Sequence, residues 1–220
     1  MRKSAIFLLF VAFCLTILGL SAQGGIAVPP QTARPKTEAE GKQKPEDSKQ
    51  RPVAKSKVYL LHSDLLRKDA THPDAQIVTG NVRFRHDSVY MYCDSACYYD
   101  KVSSFEAFGN VKMVQGDTLF LYGDRLYYDG LTQIAEMRCN VRMENRTTTL
   151  LTDSLNYDRV YNLGYFFDGG TLMDEQNVLT SEWGEYSPQT KQSVFNYNVK
   201  LVNPQFTLTS DTLRYNTASK

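Results

Sequence analysis

GNVRFRHDSVYMYCDSACYYD at residues 80–100 is followed by GNVKMVQGDTLFLYGDRLYYD at 109–129 and by CNVRMENRTTTLLTDSLNYD at 139–158. Two looser copies come next, GTLMDEQNVLTSEWGEYS at 170–187 and YNVKLVNPQFTLTSDTLRYN at 197–216. A tandem period of about 29 residues predicts stacking, because one such unit cannot bury its own apolar face and its neighbours must complete the core. Tyr99, Tyr128, Tyr157, Tyr186 and Tyr215 recur every 29 residues. An acidic residue recurs at Asp94, Asp124, Asp153, Glu182 and Asp211, with a single-residue insertion after the first. An earlier half-copy, HSDLLRKD from His62, places the start of strand pairing there.

Inside each unit the apolar residues alternate, as in Val111 and Met113 and then Leu119 and Leu121, which is the period of a strand with one buried face. No stretch beyond residue 57 holds a helical period over three turns. The chain is therefore expected to be all-β, with two or three strands per unit. Gly-Asn pairs, Gly116-Asp117 and Gly123-Asp124 are read as turns between short strands. Equivalent positions line up as inward columns: Met91, Leu121, Leu150, Leu179 and Leu208; Val82, Val111, Val141 and Val199; and Phe84, Met113, Met143 and Leu201. The repeat runs to Lys220 part-way through a unit, so either this chain is an excerpt of a longer protein or the last strands leave an open edge that another chain continues, with such edge pairing expected near residues 205–216.

The segment before the repeat has a different composition. Residues 1–25 read as a secretory signal: Arg2 and Lys3, a run dominated by apolar residues from Ala5 to Leu18, then small residues, with cleavage expected after Ala22. An uncleaved membrane anchor is the rival reading. Cys14 lies within the apolar run behind Ala12 and Phe13, which is no lipidation signal. Residues 26–56 hold five of the eight prolines and no aromatic residue, which predicts a disordered linker ahead of a folded domain at 57–220. That domain has 16 basic against 20 acidic residues, a balance that argues against a nucleic-acid partner. Cys93, Cys97 and Cys139 leave one disulfide plus a thiol, or three buried thiols, open. The three histidines, His62, His72 and His86, do not have zinc-ligand spacing with them, and neither a metal nor a cofactor is expected. No phosphate-cradling glycine motif is present.

GNV, alternating strands, an Asp step and a Tyr-Asp close, repeated in tandem over about residues 57–220, resemble the OstA/LptA family. The resemblance implies a slot-like jelly roll of stacked antiparallel strands, exported to the periplasm, that carries lipopolysaccharide from the inner to the outer membrane. It implies partners that are other jelly-roll components joined edge to edge, and no enzymatic activity. It also implies that the three columns above line the lipid path. The long charged linker departs from the small soluble carriers. So do GGT in place of GNV, and Gly184 where Leu155 stands a unit earlier. Both a bridge protein and the N-terminal part of an outer-membrane receptor fit.

Three other readings bear on the same residues. An acidic column suggests calcium, yet calcium-binding β-helices use paired glycines and aspartates at nine-residue periods. A polysaccharide-cutting solenoid would use Asp124, Arg125, Asp153 and Arg159, although their spacing follows the repeat rather than breaking it at one place. An exported structural solenoid would need no apolar ligand.

Overall fold

The computed structural model describes residues 56–69 and 72–219. The expected signal peptide and nearly all of the expected linker lie outside the described residues. So do Cys14 and the expected cleavage site.

Among the described residues fourteen strands form one antiparallel sheet. They are β1 (Tyr59–His62), β2 (Leu65–Asp69), β3 (His72–His86), β4 (Val89–Tyr99), β5 (Ser104–Gln115), β6 (Leu119–Asp129), β7 (Ile134–Asn145), β8 (Thr148–Asp158), β9 (Leu163–Phe166), β10 (Gly170–Met173), β11 (Val178–Ser181), β12 (Trp183–Tyr186), β13 (Gln192–Asn203) and β14 (Phe206–Asn216). The helical content among the described residues is a three-residue turn at Asp100–Val102. From β3 to β8 the chain is a plain meander, each strand pairing with the next. The half-copy at His62 lies where β1 and β2 pair with β3.

Each long strand is bent in its middle, which divides the sheet into two walls. The pairing register breaks between Thr79 and Val82, Phe108 and Val111, Arg138 and Val141, and Asn196 and Val199. The Gly-Asn pairs occupy these breaks, so they are corners inside long strands and not turns between short ones. Two successive residues there take left-handed backbone angles: Gly80 and Asn81 at φ 78° and 49°, Gly109 and Asn110 at 74° and 46°, Cys139 and Asn140 at 63° and 53°. Glycine and asparagine are the residues that adopt this region at least cost. At Gly80 and Gly109 an added Cβ would also lie 2.2 Å and 2.5 Å from the Oδ2 of Asp64 and Asp94. Each unit thus has two strands, not three, and both bend at the same line.

On the second strand of each unit the corner shifts the inward phase by one residue. In β6 the buried positions are Leu119, Leu121 and Gly123, then Leu126 and Tyr128. In β4 they are Val89, Met91 and Cys93, then Ala96 and Tyr98. The inward tyrosine of the first unit is therefore Tyr98, not Tyr99. The β3–β4 hairpin turns on Asp87 and Ser88, whereas the β5–β6 hairpin takes three residues, Gly116–Thr118. That extra residue makes the interval from Tyr98 to Tyr128 one longer than the others, and the Tyr98-Tyr99 doublet hides it. A one-residue slip exchanges the faces of a strand.

The fourth unit departs most from this plan. Its strands break fully at the corner into β9 with β10 and β11 with β12, and β8 and β13 each pair with two short strands. Phe166 fills the interior here. A Cβ at Gly170 or Gly184 would lie 2.6 Å from its ring, so the glycine in the leucine's place makes room for a large residue on the facing strand. Volume is conserved while identity is not.

Candidate functional site

The two walls enclose one continuous apolar core from Val58 to Leu201. Val82, Phe84, Met91, Val111, Met113, Leu121, Val141, Met143, Leu150, Leu179, Val199 and Leu201 all lie in it. Leu208 shares a face with its partner Leu201 but is 39% exposed, because β14 pairs with β13 and has no second strand partner among the described residues. Residues from opposite walls touch. Phe84 of the first wall stacks on Phe105 of the second, centroids 4.2 Å apart. The core side chains are packed against one another, so a guest must part the walls to reach them.

The outside of the corner is held by a polar ladder built from the acidic column. Asn81 donates to Asp64 at 2.9 Å, Asn110 to Asp94 at 2.8 Å, Asn140 to Asp124 at 2.6 Å, and Asn198 to Glu182. The backbone N–H of Asn140 also donates to Asp153 at 3.2 Å. Asp64, Asp94, Asp124 and Glu182 each accept from the corner asparagine of the next long strand, and Asp153 accepts from that of the strand before it, so the acidic positions follow the corner's period. Among the described residues no group of three or more His, Cys, Asp or Glu could hold a metal. Of the residues considered for polysaccharide cleavage, Asp124 and Asp153 meet at Asn140. Arg125 instead lies 5.5 Å over the ring of Phe108, and Arg159 reaches the opposite edge. The four form no single cluster.

At that opposite edge the tips of the two walls are laced together by the tyrosine column. Tyr98 donates to the carbonyl of Val58 at 2.7 Å. Tyr128 donates to Nδ1 of His86 at 2.7 Å. Tyr157 and Gln115 both donate to Oδ1 of Asn162, at 3.2 Å and 2.8 Å. Asn145 donates to the hydroxyl of Tyr186 at 3.0 Å and to the carbonyl of Pro188 at 3.1 Å. Asn177 donates to Tyr215 at 2.8 Å, and Tyr215 donates to Asp174. Tyr98, Tyr128, Tyr186 and Tyr215 therefore tie their wall directly to a polar group from the facing tip or from an earlier unit, and Tyr157 does so through Asn162, which also accepts from Gln115.

Burial raises the pKa of Tyr98, Tyr128, Tyr157 and Tyr215, that of Tyr128 to about 12, so these phenols stay neutral. The His86 ring is fully buried. Burial, and then the charge of Arg159, lower its pKa below 6.5. With Nδ1 accepting from Tyr128, and from Arg159 at 3.2 Å, the ring proton sits on Nε2 and faces Ser56. Arg159 also donates to the Tyr128 hydroxyl.

The polar tips His86, Gln115, Asn145 and Asn203 end successive first strands, and sequence reading passed over them. Their recurrence in step with the glycine-asparagine corners is the signal that could have found them. Among the described residues no disulfide forms; Cys93 is buried, Cys97 half-buried and Cys139 exposed. Burial pushes the Cys93 thiol up to about 12.

A family model described as OstA-like protein matches residues 55–211. No curated protein matches the chain. Among solved structures, a similar chain is that of LptH, described as the LptA homologous periplasmic component of the conserved lipopolysaccharide transport device from Pseudomonas aeruginosa. The two are 10% identical, with 66% of this chain and 93% of that chain covered and a TM-score of 0.30. An overlay that loose carries no argument about how this chain works.

Proposed function

The chain belongs to the OstA-like protein family, and from that premise we propose that it is a periplasmic component of lipopolysaccharide transport, a carrier or bridge whose interior takes the acyl chains. The observation that supports this reading best is the single apolar core running through all units between two walls. The walls are joined covalently at the corner and by side-chain hydrogen bonds at the facing tips. An acyl chain in water costs about 0.8 kcal/mol for each exposed CH₂, tens of kcal/mol for a multiply acylated lipid. A slot that shields the chains removes that cost while sugars stay in solvent.

Lipid enters as the walls part at the tips, and the columns headed by Val111, Met113 and Leu121 then contact it. Successive units present similar surfaces, so a molecule advances without a deep trap at one station. The free edge of β14 continues the sheet, and with it the slot, into a neighbouring jelly roll of the transport system. No step needs catalysis by this chain, and the energy comes from a partner.

Mass spectrometry of lipid retained by the exported chain, purified from the periplasm in mild detergent, tests the proposal. Bound lipopolysaccharide is the expected result. Protein free of lipid under conditions that load a known carrier would replace this reading with a structural solenoid.

A further inference from the structure

Resting on the carrier reading, we propose that Arg159 is a binding site for the phosphate of the transported lipid, at the laced edge where the walls part. Arg159 follows β8 at a tip of the second wall, and its backbone N–H is anchored to the carbonyl of Gln133 at 3.1 Å. Its guanidinium donates to two neutral acceptors, Nδ1 of His86 and the hydroxyl of Tyr128. Among the described residues no carboxylate forms an ion pair with it, whereas Arg138 and Arg142 are paired with Glu136 and Glu144. Its Nε is buried and has no acceptor. A positive charge with a spare inward donor, at the boundary between an apolar interior and solvent, lacks an anion.

The chemistry narrows the class of that anion. A guanidinium presents a planar fork that fits two phosphate oxygens. A lipid whose acyl chains lie between the walls must hold its charged group at their rim, where Arg159 stands. Parting the walls breaks the Tyr128–His86 and Arg159–His86 contacts and frees the guanidinium N–H that His86 now accepts, while Arg159 and Tyr128 stay together on the second wall. The phosphate then accepts what the closed edge gave up, so charge recognition is coupled to opening.

The test compares three probes on the full exported chain: lipopolysaccharide, the same preparation after enzymatic dephosphorylation, and inorganic phosphate. Charge-assisted hydrogen bonds of this kind predict a preference of about 10- to 100-fold for the phosphorylated lipid. R159Q should bring that ratio close to one, R159K should keep part of it, and Y128F, which loosens the edge but keeps the charge, should retain it. A ratio unchanged in R159Q, or equal binding of both lipids by the wild type, overturns the phosphate site and leaves the carrier standing. Binding of neither lipid overturns both. Inorganic phosphate binding as tightly as the lipid assigns the site to a free anion and overturns the head-group role.

Discussion

The corner and the laced edge both hold the two walls at their angle, by different means. The corner is backbone: paired left-handed residues on β3, β5, β7 and β13, backed by carboxylates accepting from Asn81, Asn110, Asn140 and Asn198. The edge is a row of side-chain hydrogen bonds, most of them between neutral groups, reaching across the tips from Tyr98, Tyr128, Tyr157, Tyr186 and Tyr215. Each neutral bond contributes about 1 kcal/mol, and its loss is reversible in water. Bending the corner open would require many residues to change backbone angles together. The edge is therefore the side on which the molecule opens.

The contrast predicts graded effects. Gly109→Ala should be the most damaging change: a side chain in a left-handed position costs about 1–2 kcal/mol, and displacing Asp94 from Asn110 costs about 1 more. A loss of about 2–3 kcal/mol in denaturant unfolding is expected, and a neutral result would break the account of the corner. Tyr128→Phe should cost less, about 1–2 kcal/mol. It should also speed hydrogen exchange at the wall tips while corner amides stay protected. Uniform exchange in both regions would show that they are not distinct.

Acid should act on the same edge. His86 is held neutral, with its pKa lowered in the fold by burial and by Arg159. The unfolded chain therefore binds the proton more readily, so this stability is fully present above pH about 6.5 and declines as pH falls below it. Replacing His86 with Gln should remove that slope; the same slope in the variant would place its origin elsewhere. The smallest effect is a gain. Cys139 takes the position of Gly109 at φ 63°, so Cys139→Gly should stabilise by about 0.5–1 kcal/mol.

Much of the fold was legible because strand alternation and the repeat both follow from burial. The all-β class, the inward faces of β5 to β8 and the pairing that begins near His62 could be read directly from the sequence, whereas the antiparallel stacking came from the family resemblance. What stayed hidden depended on register. Nothing local distinguishes a Gly-Asn corner from a Gly-Asn turn, since both use the same backbone angles. Tyr98 and Tyr99 are chemically identical neighbours, and a constant spacing favours the wrong one. The acidic column stood out in the sequence, but its partners are asparagines 13 to 17 residues away across strands. The laced edge was the least legible, because it joins residues about 40 positions apart whose types vary among His, Gln and Asn.

The most direct test of the central claim, that the interior takes up lipid, is site-specific photo-crosslinking in cells at paired neighbours. Leu121 and Leu150 face the core, whereas Tyr122 and Leu151 alternate to the outer face of the same strands. The account predicts lipopolysaccharide adducts at positions 121 and 150 and few at 122 and 151. Equal labelling of both pairs, or labelling confined to the outer positions, would contradict it.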